Sequence, residues 1–370
     1  MGNAFGFGIS PALFFSNKRQ EKPHFMHRLH YTSFGRDALY LAINILELTK
    51  KEKCILIPDY ICWIVIDVLK KANMKYVFYP VKKDLSPDFE YVSKTLNTSN
   101  NINSILVVNY FGFPQDYNKI GNICKEFNLL FIENNTHSFL SRYNNRWLGT
   151  FGEAGIFSFR KIVPVPDGAG LYLKKNTEIS DIISYKQARL SRKDAFLFWA
   201  KMFIRYFYNH SIDPFHLINY FTYNSRKLLA DMDTNERFEL PGKTPSKLFY
   251  RLIDKICFDD IIKKRNDNYS LLLRNIKHPC VAPIFPDVPE GVCPQNFPMI
   301  IKNGKRDELL LHLYRSGIRA YHWPTLPEEI KQTNGYSDAK WLRENILLLP
   351  IHQDLSEKTI IKLSSIINGF

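Results

Sequence analysis

Apolar residues in the first half of the chain recur in two alternating patterns. Short runs such as KCILIPDY, KYVFYPV, NSILVVNYFGFPQD and LLFIENNTHSFLS are rich in Val, Ile, Leu and Phe and show no polar alternation. That pattern predicts strands covered on both faces. Between them, apolar positions return at helical spacing. Ala38, Leu39, Ala42, Ile45 and Leu46 do so in SFGRDALYLAINILEL, and Ile61, Ile64, Val65, Val68 and Leu69 in the next segment. Further helices are expected around residues 88–96 and over Tyr117–Phe127. A strand–helix–strand alternation predicts an α/β protein with a large, mostly parallel, three-layer α/β/α domain. In such sheets ligands bind beyond the carboxyl ends of the strands. The loops Asp59–Cys62, Asn109–Gln115, Asn134–His137 and Ser158–Lys161 all leave from that edge.

The second half reads differently. Residues 176–240 are an irregular section containing FLFWAKMFIRYFYN, which has helical length and is crowded with aromatics. Two readings compete: a helix lying on a membrane surface, or a packed helix or dimer contact. The packed reading is favoured because the aromatics surround the helix and form no single stripe. From Thr244 a smaller α+β unit follows, opening with a helix over Lys247–Lys264 and continuing through NFPMIIK, KRDELLLHLYRSGI, WLRENILLLPIHQDL and EKTIIKLSSII. The expected organisation is an N-terminal arm (1–30), a large domain (31–243) with a helical insertion at 176–240, and a small C-terminal domain (244–370).

Composition narrows the function classes. The chain has 370 residues, enough for two domains, with 45% hydrophobic and 14% aromatic content that fits a globular protein. Its six cysteines form no C-x-x-C pair, which argues against a zinc site and a disulfide scaffold and favours reduced thiols in the cytosol. His24, His27 and His30 are spaced by three, but a solvated or packed cluster is preferred over a metal site. The apolar start lacks a basic n-region, and no apolar run reaches the ~20 residues of a membrane span. A net charge of +14 points to anionic company. Nucleic acid is the weakest such partner, since Lys and Arg are spread along the chain and no recognised motif is present.

Chemistry concentrates in FSFRKIVPVPDGAGLYL, residues 157–173. Pro164, Pro166, Gly168 and Gly170 make this a shaped loop between two strands. Lys161 stands in it among Phe157, Phe159, Ile162 and Val163. Burial there would lower the lysine's pKa and favour the neutral amine that attacks carbonyls. Upstream, Ser33, Gly35 and Asp37, with Arg36 beside them, open a helix whose free N–H groups suit a phosphate.

Taken in order, SFGRDALYLAI, IPDYIC, VVNYFGFPQD, FIENNTHSF, LGTFGEAGIFSFRK and LLLPIHQDLSE resemble the DegT/DnrJ/EryC1/StrS family of sugar aminotransferases. The resemblance covers about residues 30–175 and 245–368, and residues 176–240 depart from it. It implies a fold type I architecture, pyridoxal 5'-phosphate as cofactor, a homodimer with sites at the subunit interface, and nucleotide-linked keto-sugar substrates with an amino-acid donor. Surface-polysaccharide or amino-sugar biosynthesis is the implied setting.

Residue by residue, the resemblance places the family's coenzyme-bonding lysine on Lys161, in a loop shorter than usual on its Phe-Ser-Phe side. It places the phosphate-binding serine on Ser158, and the phosphate-holding backbone on Gly35, Arg36 and Asp37, with Arg36 where a threonine is common. His137 falls beside the coenzyme's phenolic oxygen. Cys62 takes the place of an aromatic that covers the ring, with Tyr60 and Trp63 as nearby flat side chains. His322 and Trp323, in the loop Arg319–Pro324, are candidates for facing the sugar, and His352 is read as structural.

Asn134 is the chief departure. The family places an aspartate there to keep the pyridine nitrogen protonated, and Asn134 is neutral. Glu133 is expected to point to the opposite face of its strand. An aminotransferase is the leading reading. A dehydratase- or isomerase-like enzyme on the same coenzyme, or a non-catalytic relative, are the alternatives that Asn134 raises.

Overall fold

The computed structural model describes residues 21–49, 53–175, 186–209 and 243–370. The large sheet has seven strands. They are β1 (Leu29–Thr32), β2 (Cys54–Pro58), β3 (Lys75–Tyr79), β4 (Ile102–Val108), β5 (Leu130–Asn135), β6 (Ala154–Ser158) and β7 (Ala169–Leu173). Their order across the sheet is β1-β7-β6-β5-β4-β2-β3. Neighbours run parallel from β6 to β3, and only β7 is antiparallel to the strands beside it. All five residues of β2, β6 and β7 are buried, as unalternated apolar strands require.

The helices between these strands are α1 (Gly35–Ile45), α2 (Trp63–Lys71), α3 (Phe89–Thr98) and α4 (Tyr117–Glu126). Asp88 and Asp116 cap α3 and α4 by accepting backbone N–H bonds from Tyr91 and Lys119. Apolar faces of α1 and α2 (Ala38, Leu41, Ala42, Val65, Val68, Leu69) close on the sheet in one core. Each such Val or Leu contributes about 1.5–3 kcal/mol by leaving water.

A second core is aromatic. Phe25, Phe139, Phe157, Phe159 and Phe249 are all at most 1% exposed, and Phe139 meets Phe159 edge-on at 4.6 Å. This core spans the turn after β6 and the chain from residue 247 onward, so it fixes the backbone just before Lys161. Helix α5 (Arg192–Asn209) lies at its edge, with Phe198 and Trp199 packed inward and Phe196 and Phe203 exposed. Much of the 176–240 section lies outside the described residues, as do residues 1–20 of the expected arm. No described helix is long and apolar enough to cross a membrane.

The single helix expected over Lys247–Lys264 is instead two, α6 (Lys247–Ile253) and α7 (Phe258–Asn275). The break at Asp254–Cys257 lets Ile253, Ile256 and Phe258 all reach the aromatic core, which one straight helix would not do. Beyond α7, a three-stranded antiparallel sheet of β8 (Val281–Pro283), β9 (Asn296–Ile301) and β10 (Ile346–Pro350) is covered by helices Arg306–Arg315 and Glu357–Asn368.

Candidate active site

A cavity of about 320 Å³ opens at the carboxyl ends of the parallel strands. Gly35 and Arg36 from the start of α1, Cys62 and Trp63 from the start of α2, Asn134 and His137 from the end of β5, and Ser158 and Lys161 after β6 all line it. Trp323 and His352 close it from the C-terminal part of the chain. Among the described residues, no Asp or Glu is one of those that line it. Three cations are: Arg36, Arg160 and Lys161.

One end is built for an anion. At the start of α1 the N–H groups of Asp37 and Ala38 turn back onto the Phe34 carbonyl, at 3.0 and 3.3 Å. Gly35 and Arg36, the residues just before these at the helix N-terminus, line the opening. A Cβ on Gly35 would stand 3.2 Å from Thr136 Cγ2, so a side chain there would fill the cradle. The guanidinium carbons of Arg36 and Arg160 lie 4.6 and 4.9 Å from the centre of the Phe34 ring. That shared aromatic face holds two positive charges at the same end of the cavity.

Lys161 follows β6 in a short 3₁₀ turn, between the fully buried Phe159 and Ile162. Its Nζ donates to Thr136 Oγ1 at 3.3 Å. Burial lowers its pKa to about 8, with Arg160 pushing the same way and Cys62 opposing. His137 is 3% exposed and stacks on Phe111, with ring centres 5.4 Å apart and planes 13° off parallel. Burial, and then the charge of Lys161, hold this imidazole well below its ordinary pKa, so it is neutral. Among the described residues its buried Nδ1 has no hydrogen-bond partner. Phe111 supports it from the left-handed backbone region (φ 55°), where the Gln295 N–H anchors its carbonyl at 2.7 Å.

Strand β5 separates two polar roles by alternation. Glu133 points away from the cavity, where its carboxylate accepts from Tyr117 Oη and from the N–H groups of Gly149, Phe151 and Gly152 at 2.6–2.7 Å. Asn134 points into the cavity and is 7% exposed. Its Oδ1 accepts the Thr136 N–H at 3.2 Å, and among the described residues its Nδ2 has no acceptor.

Three expected residues stand elsewhere. The Asp37 carboxylate turns back to accept the Phe34 N–H at 3.1 Å and does not line the cavity, and burial raises its pKa to about 6. Tyr60 is fully buried behind the wall, where its hydroxyl donates to the Trp323 carbonyl. His322 is buried outside the cavity, while its neighbour Trp323 lines it. In the other direction, His352 is a wall residue. Thr136, Arg160, Gln295, Asn296 and Tyr321 also reach the cavity, and no motif singled them out. The available signal was loop position, since Thr136, Arg160 and Tyr321 lie in the loops 134–137, 158–161 and 319–324 that the sequence singled out.

Residues 24–203 match the family model "DegT/DnrJ/EryC1/StrS aminotransferase family". A UDP-4-amino-4,6-dideoxy-N-acetyl-beta-L-altrosamine transaminase from Campylobacter jejuni is 26% identical over 144 residues, 38% of either chain. A GDP-perosamine synthase from Escherichia coli O157:H7 is 27% identical over 157 residues, 42% of either chain. The matched stretch is thus well under half the length of these relatives. In fold the likeness is wider. The aminotransferase TlmJ from Streptoalloteichus hindustanus superposes with a TM-score of 0.70 over 99% of this chain and 98% of its own, at 15% identity. Residues 24–203, just under half of the chain, are thus similar to the DegT/DnrJ/EryC1/StrS aminotransferase family, and the fold is shared with solved aminotransferases.

Proposed function

We propose that the protein is a pyridoxal 5'-phosphate-dependent aminotransferase that moves an amino group from an amino-acid donor to a keto sugar carried on a nucleotide diphosphate. The observation that carries this reading is the Lys161 amine, held by Thr136 in a cavity that no carboxylate of the described residues lines, with burial lowering its pKa to about 8. The names of the relatives, a transaminase and a perosamine synthase, support the substrate class.

The residues present fit the coenzyme. The cradle at Gly35 and Arg36, with Ser158 and Arg160, suits its phosphate, and the orphan Nδ1 of His137 awaits a polar partner. Asn134 would meet the ring nitrogen, and Cys62 and Trp63 lie on the cavity wall as ring covers. Bound there, pyridoxal phosphate supplies a reactive aldehyde and an electron-accepting ring. Lys161 would be the residue that holds the coenzyme, and its amine, with a lowered pKa, would be the group placed to take a proton from the amino-acid donor. Neutral His137 orients a polar group without adding charge, and Phe111 and Trp323 keep water from its ring. Trp323 faces the sugar. The same reading includes a homodimer, a cytoplasmic location, and a large coenzyme-binding domain with a small C-terminal one. It also includes a role in surface-polysaccharide or amino-sugar biosynthesis.

Purified protein mixed with pyridoxal phosphate is expected to develop a coenzyme absorption band that L-glutamate bleaches, and Lys161→Ala to show none. A band that survives in Lys161→Ala, or that no amino acid alters, would overturn the proposal.

A further inference from the structure

We infer that Thr136 is the positioning residue of this site, its hydroxyl holding the Lys161 amine and its backbone N–H orienting the Asn134 amide. The inference rests on the reading of Lys161 as the reactive amine.

Three groups of one residue are engaged at once. The Thr136 N–H donates to Asn134 Oδ1 at 3.2 Å. Because an N–H can only donate to the oxygen end of an amide, this bond settles which way Asn134 faces and leaves the Nδ2 donor to the cavity. Thr136 Oγ1 lies 3.3 Å from Lys161 Nζ. Its methyl carbon lies 3.2 Å from where a Gly35 Cβ would be, so it packs against the start of α1. The end of β5 thereby links the amine, the ring-nitrogen residue and the phosphate cradle through a single residue.

The charges around Lys161 explain why a hydroxyl is needed. Arg160 on its own turn pushes its pKa down, Cys62 at the start of α2 pushes it up, and His137 from the β5 loop is neutral. Arg36 and His352 line the same cavity, and among the described residues no carboxylate does. The hydroxyl of Thr136 is thus the neutral acceptor that the Lys161 ammonium meets in this cavity. A hydrogen bond from a charged donor is stronger than one from a neutral amine, so Thr136 supports the charged form against burial.

The test is competitive acetylation of the full-length protein with trace acetic anhydride, the Lys161 peptide being quantified by mass spectrometry across pH. Valine keeps the branched shape and the backbone N–H but lacks the hydroxyl, and serine keeps the hydroxyl. The wild-type midpoint is expected near the lowered value of about 8. Thr136→Val should lower it by about half a pH unit, and Thr136→Ser should restore it. A Thr136→Val midpoint equal to wild type, or a Thr136→Ser midpoint equal to that of the valine variant, would overturn the inference. Acetylation needs no coenzyme, so its outcome is read independently of coenzyme uptake, on which the proposed function depends.

Discussion

Lys161 and Asn134 owe their chemistry to different forces. For Lys161 the force is burial, and it was legible in the sequence because Phe157, Phe159, Ile162 and Val163 surround the lysine along the chain itself. For Asn134 the deciding contact is a single backbone N–H, from Thr136, which no composition or periodicity reports. Asn134→Asp keeps an oxygen for that N–H and turns a carboxylate into the cavity, where it would hold a proton on the coenzyme's ring nitrogen. Transamination with L-glutamate should then rise on the order of tenfold, the effect of one pKa unit on the ring. An unchanged or slower rate would contradict the role given to Asn134. Asp59 is a second buried group with a consequence of its own. It is fully buried, its Oδ1 accepts the Val81 N–H at 2.8 Å, its Oδ2 has no hydrogen-bond partner among the described residues, and burial raises its pKa to about 7. The fold therefore favours its protonated form, so its contribution is intact below about pH 4 and is lost as pH rises toward 7. Asp59→Asn removes that loss while keeping an acceptor for Val81. Urea unfolding should show the variant gaining ~3 kcal/mol on wild type between pH 4.5 and pH 8. A gap that does not change with pH would contradict the assignment.

At the scale of elements, β5 shows what alternation can and cannot tell. That Glu133 and Asn134 take opposite faces followed from the period of a strand, and Glu133 indeed holds the turn at Gly149–Gly152. The parallel sheet was legible for the same reason, since strands buried on both faces read as unbroken apolar runs. The split between α6 and α7 was not. Their periodicity continues through Asp254–Cys257, and only the distant aromatic core decides that the chain must turn. The segment after β4 is equally dependent on remote neighbours. Gly112 adopts φ +104°, and a Cβ there would lie 2.4 Å from the Cys293 carbonyl oxygen. Beside it, Phe111 supports His137 from its own left-handed backbone conformation. Gly112→Ala should therefore lower stability in urea by about 2 kcal/mol or more and weaken coenzyme binding. Wild-type stability would show that this close approach is not needed.

Across the whole molecule, the cavity takes its floor from residues 34–161 and part of its wall from residues 295–352. The floor was readable from ordered motifs. The wall was not, because Gln295, Asn296, Tyr321 and His352 come together only through the small antiparallel sheet and its connections. Arg265 of α7 ties the two parts. Fully buried, it donates from Nη1 to the carbonyls of Pro294 and Gln295 at 3.1 and 2.8 Å, and from Nη2 to that of Ile162 at 3.3 Å. Gln353 Nε2 donates to the same Ile162 carbonyl, also at 3.3 Å. The residue after Lys161 is thus fastened to the wall facing it, which keeps the amine aimed inward although its loop is short. The most direct measurement is chemical. Protein incubated with pyridoxal phosphate, reduced with borohydride and digested should carry the pyridoxyl group on the peptide containing Lys161. Label on another lysine, or on none, would contradict the assignment of this cavity as the coenzyme site.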